Sequence, residues 1–95
     1  MTDTEKTWQV DPKVRFRRIF EEAVVVHQER AEALVLNEVG ASFLELCDGE
    51  RSVQQIIDLM LGQYDTGAEV LSEDIHEFIL ELYDSGIITP RSLGV

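Results

Sequence analysis

At 95 residues the chain is long enough for one small domain with a real core and too short for two. Its hydrophobic content of 44% argues against global disorder, and no apolar run approaches the roughly 20 residues that span a bilayer. The net charge of −11 repels phosphate, and a single cysteine forbids an intrachain disulfide.

The charge is unevenly placed. Four of the eight basic residues, Lys13, Arg15, Arg17 and Arg18, fall in one short stretch, and none lies between Arg51 and Arg91. That interval carries Asp58, Asp65, Glu69, Glu73, Asp74, Glu77, Glu81 and Asp84, a field that favours a neutral or basic partner. The N-terminus has no basic start followed by an apolar run, so it does not read as a secretory signal, and a cytoplasmic protein is expected.

In chain order, Met1 to Lys13 shows no periodicity and ends in the turn signal Asp11-Pro12, which predicts a flexible tail over 1–13. Trp8 in that tail either folds back onto the domain or is exposed. Val14 to Arg18 alternates apolar and basic residues, the pattern of a half-buried strand, and Arg18-Ile19-Phe20 breaks it at a bulge or strand end. After the polar Glu21-Glu22, the β-branched run Ala23 to Gln28 predicts a second strand, and Ala31 to Leu36 a third, in an antiparallel meander.

Asn37 is a good N-cap, with Glu38 complementing the helix dipole, and Val39, Phe43, Leu46 and Cys47 recur on one face of the helix that follows. Gly49 is expected as its left-handed C′ residue. Ser52 to Gln55 is a capping box opening a second helix whose stripe is Val53, Ile56, Ile57, Met60 and Tyr64. Ser72 is expected to cap a third helix with Ile75, Phe78, Ile79 and Leu82 on its apolar face, stopped by Ser85-Gly86. The tail 91–95 is expected to fray. The fold class is therefore α+β, an N-terminal three-stranded antiparallel sheet followed by three helices over 14–90, like a winged helix-turn-helix with its strands moved to the front.

No chemistry-bearing motif stands out. The sequence has no Cys-x-x-Cys pair, Gly-rich phosphate loop or nucleophile elbow, and His27, Cys47 and His76 lack ligand spacing. No enzyme activity, cofactor or metal is expected. Cys47, among Leu44, Leu46 and Val53, reads as a small buried hydrophobe.

Three blocks carry a family likeness: Leu36-Asn37-Glu38-Val39-Gly40-Ala41, then Leu46 to Val53, then Asp74-Ile75 to Phe78-Ile79 and Leu82, ending in Ser85-Gly86-Ile87-Ile88. In this order and spacing, from about Val14 to Ile88, they resemble the PqqD family, the small D protein of pyrroloquinoline quinone biosynthesis, together with related recognition domains of ribosomally made, post-translationally modified peptide pathways. The resemblance implies a non-catalytic peptide chaperone that binds the leader of a precursor peptide and presents it to a modifying enzyme, often a radical S-adenosylmethionine protein. It also implies that the leader adds as a strand to the edge Glu32, Ala33, Leu34, Val35 and Leu36, beside a helix carrying Ile75, His76, Phe78, Ile79, Leu82 and Tyr83.

Alternation along the third strand gives two largely apolar sets, with Leu34 and Leu36 expected inward; which edge of the strand is open stays undecided. Lys13, Arg15, Arg17 and Arg18 are expected to dock on an acidic patch of the partner enzyme. The alternative is a winged-helix regulatory or DNA-associated interaction domain, which the acidic third helix disfavours. Neither nucleic acid nor membrane is expected as a partner, and an exposed edge leaves monomer and dimer both open.

Overall fold

The computed structural model describes residues 6–30 and 32–91. Along the chain run β1 (Thr7–Val10), β2 (Val14–Ile19), β3 (Glu22–His27), β4 (Glu32–Leu36), α1 (Glu38–Leu46), β5 (Asp48–Ser52), α2 (Val53–Leu61), α3 (Ala68–Asp84) and β6 (Ile88–Pro90). The strands form two antiparallel three-stranded sheets, one ordered β2-β3-β4 and the other β5-β1-β6.

The meander pairs without a bulge from Val14↔His27 to Ile19↔Glu22, so the break in alternation near Phe20 is the hairpin turn itself. That turn holds Phe20 at a φ of 57°, a conformation bulky side chains rarely adopt, with the side chain 94% exposed. At the next turn the buried His27 ring accepts the backbone N–H groups of Glu29 (3.2 Å) and Arg30 (3.3 Å) at Nδ1, fixing how the chain leaves β3. Ala23, Val25 and Leu36 are buried on the inner face of this sheet, where α1 packs against β3 and β4.

Helix starts follow local chemistry in two cases of three. The Asn37 side chain accepts the Gly40 N–H at 2.9 Å, opening α1. Ser52 Oγ accepts the Gln55 N–H at 3.2 Å while Gln55 Oε1 accepts the Ser52 N–H at 2.9 Å, completing the capping box of α2. The third start departs from the sequence reading: α3 begins at Ala68 after Gly67, whose side of the cap lacks a side-chain bond, and Ser72 lies a turn inside. Leu71 explains the longer helix, since it is 1% exposed and extends the apolar stripe of Ile75, Ile79 and Leu82 back by one turn.

The expected order of one N-terminal sheet and then helices is corrected by three strands. β1 precedes the meander, β5 separates α1 from α2, and β6 follows α3. All three depend on partners distant in sequence, so no local pattern announces them. Part of the supposed tail is thus the centre of a sheet, with Trp8 5% exposed and its ring set edge-on to Tyr83 at 5.6 Å. Met1 to Glu5 lie outside the described residues, as do Ala31 at the expected start of the third strand and Ser92 to Val95 in the expected frayed end. Of that end, Arg91 is held: its N–H donates to the Thr7 carbonyl at 3.0 Å and its Nη1 to the Gly49 carbonyl at 3.1 Å. Gly49 does take a positive φ of 81°, but as a residue of β5, because the helix already ends at Cys47 in a non-helical conformation (φ −80°, ψ 80°).

The main core joins Val25 to Phe43, Leu44, Val53, Ile56, Met60, Leu71, Ile75 and Leu82, and Ile87 and Ile88 extend it toward β1. Trp8 belongs to the same cluster. Trp8→Ala is therefore expected to cost about 3–5 kcal/mol, a large part of a small domain's stability, in urea unfolding. A loss below about 1 kcal/mol would show that β1 is dispensable.

Candidate functional site

Hydrogen-bond parity decides which groups the meander leaves free. The Gln28 N–H donates to the Lys13 carbonyl at 2.9 Å, in register with the β2–β3 ladder. In an antiparallel pair, bonded and non-bonded positions alternate. Even-numbered residues of β3 therefore bond toward β2, and Ala23, Val25 and His27 bond toward β4. Their partners there are Leu36, Leu34 and Glu32, which leaves the N–H and C=O of Ala33 and Val35 pointing away from the sheet. Among the described residues no strand pairs with that side of β4, so it is an open edge.

The side chains sort as the alternation predicts. Leu36 is 2% exposed and Leu34 packs half-buried against the core, whereas Ala33 and Val35 are exposed on the outer face.

Residues of α3 come near both ends of the β4 segment. At one end, Asn37 and the α3 residues Asp74, Glu77, Phe78 and Glu81 line a cavity of about 270 Å³. At the other, Arg30 after β3 reaches the Asp84 carbonyl through Nη1 at 3.4 Å. The five residues of β4 span about 16 Å at the usual strand rise, and Asp74 to Asp84 span about 15 Å of helix, so edge and helix are matched in length. Gly40 makes the close approach possible: a Cβ there would come within 2.7 Å of Phe78 Cε1. The half-buried Phe78 ring thus sits where α1, the end of β4 and α3 meet.

The expected helix residues do not all reach this trough. Ile75, Ile79 and Leu82 are buried in the core. His76 and Tyr83 lie roughly 200° around α3 from Asp74 and Glu81 respectively, on its other flank. His76 donates from Nδ1 to the Ser72 carbonyl at 2.7 Å, and Tyr83 packs on Trp8. Phe78 is the expected residue that the structure places at the trough. Asn37, Asp74, Glu77 and Glu81 join it; the three carboxylates recur at helical spacing in the acidic run, the signal from which a shared flank could have been read.

The basic strand is likewise divided. Lys13 pairs with Glu29 at 2.7 Å and Arg18 with Glu45 at 2.7 Å. Arg15 donates only to the carbonyls of Pro12 (3.2 Å) and Val14 (3.3 Å), and Arg17 has no ion-pair partner among the described residues.

Reactive chemistry is not assembled around the trough. Burial, and secondarily the charge of Asp48, push the Cys47 thiol up to about 12, so it stays protonated and unreactive at neutral pH. Among the described residues no group of three or more His, Cys, Asp and Glu side chains is arranged to hold a metal ion. What the site offers is backbone hydrogen bonds, an aromatic ring and a line of carboxylates.

Known proteins share this architecture. The sequence profile of the family described as "Coenzyme PQQ synthesis protein D (PqqD)" matches residues 22–88. A "PqqA binding protein" of Rhodopseudomonas palustris (strain BisB5) is 31% identical over 77 residues, 81% of this chain and 74% of that one. Another, of Bradyrhizobium diazoefficiens, is 30% identical over 77 residues, 81% of this chain and 73% of its own length. Among solved structures, "TbiB1 in Complex with the TbiA(beta) Leader Peptide" shares the fold with a TM-score of 0.77 at 18% identity, covering 88% of this chain and 98% of that one. A "Lasso peptide synthetase B1 complexed with the leader peptide" gives a TM-score of 0.75 at 16% identity, over 87% and 98% of the two chains. The heterocyclase TruD matches with a TM-score of 0.65 at 15% identity, over 95% of this chain and 12% of its own length. With its sequence matched from the start of β3 to the start of β6, this chain belongs to the PqqD family.

Proposed function

We propose that the chain binds the leader of a ribosomally made precursor peptide by strand addition on β4 and holds it for a modifying enzyme, without catalysing the modification itself. The observation that carries this reading is the pair of outward N–H and C=O groups at Ala33 and Val35, on a strand whose end at Leu36 and Asn37 lies by Phe78 and α3. The relatives named as PqqA-binding proteins and the two leader-bound structures of like fold support it.

The two edges of the meander differ in a way that favours β4. Strand β2 carries Arg15, Arg17 and Arg18, charges of the kind that guard an edge against pairing. Strand β4 reads Glu-Ala-Leu-Val-Leu, with one charge at its start.

Magnitudes say what else must contribute. Two N–H and two C=O groups, at a net 0.5–1.5 kcal/mol per bond, supply about 2–6 kcal/mol. Micromolar binding requires about 8 kcal/mol. The remainder comes from apolar leader side chains buried on Phe78 and Leu34, and from the attraction of Asp74, Glu77 and Glu81 for a basic leader residue.

We read the receiving enzyme as a radical S-adenosylmethionine protein and the setting as the cytoplasm. No helix of the described residues is long and apolar enough to cross a membrane, which is compatible with that setting. DNA binding through the helix-turn-helix-like arrangement is disfavoured, since α3 carries Glu69, Glu73, Asp74, Glu77, Glu81 and Asp84 with no Lys or Arg.

Val35→Pro removes an N–H that points outward, so leader affinity is expected to fall about tenfold or more with the fold retained. Leu34→Pro removes a ladder bond and is expected to disrupt the sheet. Amide shifts on titration with a synthetic leader check both: unfolding by Val35→Pro, or shifts away from β4 and α3, would sink the reading. Gly40→Ala gains up to about 1 kcal/mol of helix propensity but drives the Phe78 ring toward the trough. Its expected outcome is near-unchanged stability with leader affinity lowered about fivefold or more; unchanged affinity would take Phe78 out of the site.

A further inference from the structure

The sheet β2-β3-β4 has a second face that the fold does not use. The helices pack on the face that buries Ala23, Val25 and Leu36. On the opposite face the register lines up two cross-strand rows, Arg17↔Val24↔Val35 and Arg15↔Val26↔Ala33. Each row has a guanidinium at the β2 end and apolar side chains toward β4. Arg15, Arg17, Ile19, Val24 and Val26 of this side, with Phe16 from the same strand, line a shallow depression of about 310 Å³. Val35 is 65% exposed, Ile19 48% and Val26 38%, so the face is a contiguous apolar patch rather than scattered residues.

At the tip of the same hairpin, Phe20 projects with 94% of its surface exposed, from a backbone conformation (φ 57°) that strains any side chain but glycine. A strained, solvated aromatic does nothing for the fold, and such residues concentrate where something binds.

We propose that this outer face is a second docking surface, taken by an apolar patch with an acidic rim on the enzyme that modifies the bound peptide. The proposal rests on the leader-binding reading for the enzyme's identity. Charge selects the occupant. In a chain of net charge −11, Arg15 and Arg17 are not tied into ion pairs among the described residues, whereas Lys13 and Arg18 are paired with Glu29 and Glu45. A second copy of the chain would bring another −11 and another pair of arginines to this face, so it is the poorer fit. Position adds a reason. A leader strand paired at the open edge of β4 would widen this face by one strand, so an enzyme seated on it would touch every second side chain of the peptide. Leader and enzyme would thereby strengthen each other's binding.

The test titrates the full chain against the purified modifying enzyme encoded beside its gene, with and without a synthetic leader of the neighbouring precursor. Two variants are compared with the natural chain: Arg15→Glu with Arg17→Glu, and Phe20→Gly. The charge reversal is expected to weaken enzyme binding about tenfold or more at low salt and to leave leader affinity within about twofold. Phe20→Gly is expected to weaken enzyme binding about fivefold while the melting temperature stays level or rises, which separates a binding role from a structural one. Enzyme binding unchanged by both variants, or absent for the natural chain, overturns the proposal. So does a natural chain that sediments as a dimer and becomes monomeric in the variants, because the face would then belong to a second copy. Failure of leader binding alone, with the enzyme titration still responding to both variants, would overturn the leader reading and leave this surface standing.

Discussion

Hydrogen bonding along β3 alternates between its two neighbours, and that alternation sets which groups every other part of the meander can offer. The bond between Gln28 and Lys13 assigns even positions to β2, so odd positions belong to β4 and the free polar groups of β4 fall at Ala33 and Val35. A slip of one residue would turn Leu34 and Leu36 out of the core at the same time as it exchanged the free groups. Burial of those two leucines and the orientation of the open edge are therefore one constraint. The His27 ring, which gathers two backbone N–H groups of the next turn, fixes the point from which β4 sets out.

Around that edge, charge is arranged by face rather than by segment. The strand farthest from α3 carries the arginines, and the helix flank nearest the open edge carries Asp74, Glu77 and Glu81. The free edge of β2 carries arginines and that of β4 a single charge, so the two edges differ in how readily they would accept a further strand. Phe78 gives the β4 side its apolar contact, and the absence of a Cβ at Gly40 sets how deeply the ring sits.

Much of this was legible in the sequence. Alternation marked the first strand of the meander and short apolar, β-branched runs the other two, while Asn37 and Ser52 marked two helix starts whose caps the structure shows. The strands β1, β5 and β6 were not legible, because each is short and takes its partners from far along the chain. Trp8 was the one hint, a large apolar residue in a segment otherwise without pattern. At the site, the family resemblance implied both the edge residues and the helix residues, and its helix set follows the apolar stripe of α3. That stripe marks core positions, which is why Ile75, Ile79 and Leu82 proved buried and the trough was lined by carboxylates beside Phe78. The start of α3 was missed because glycine caps without a side-chain bond and leaves no polar residue to notice.

The pairing of β1 with β6 has a consequence for how such a domain is deployed. Arg91 bonds to Thr7, so the points where the chain comes into the fold and leaves it are neighbours on one sheet. A unit with adjacent ends splices into a longer polypeptide without stretching either flank. The same architecture occupies 12% of the heterocyclase TruD, a placement inside a longer chain that adjacent ends permit.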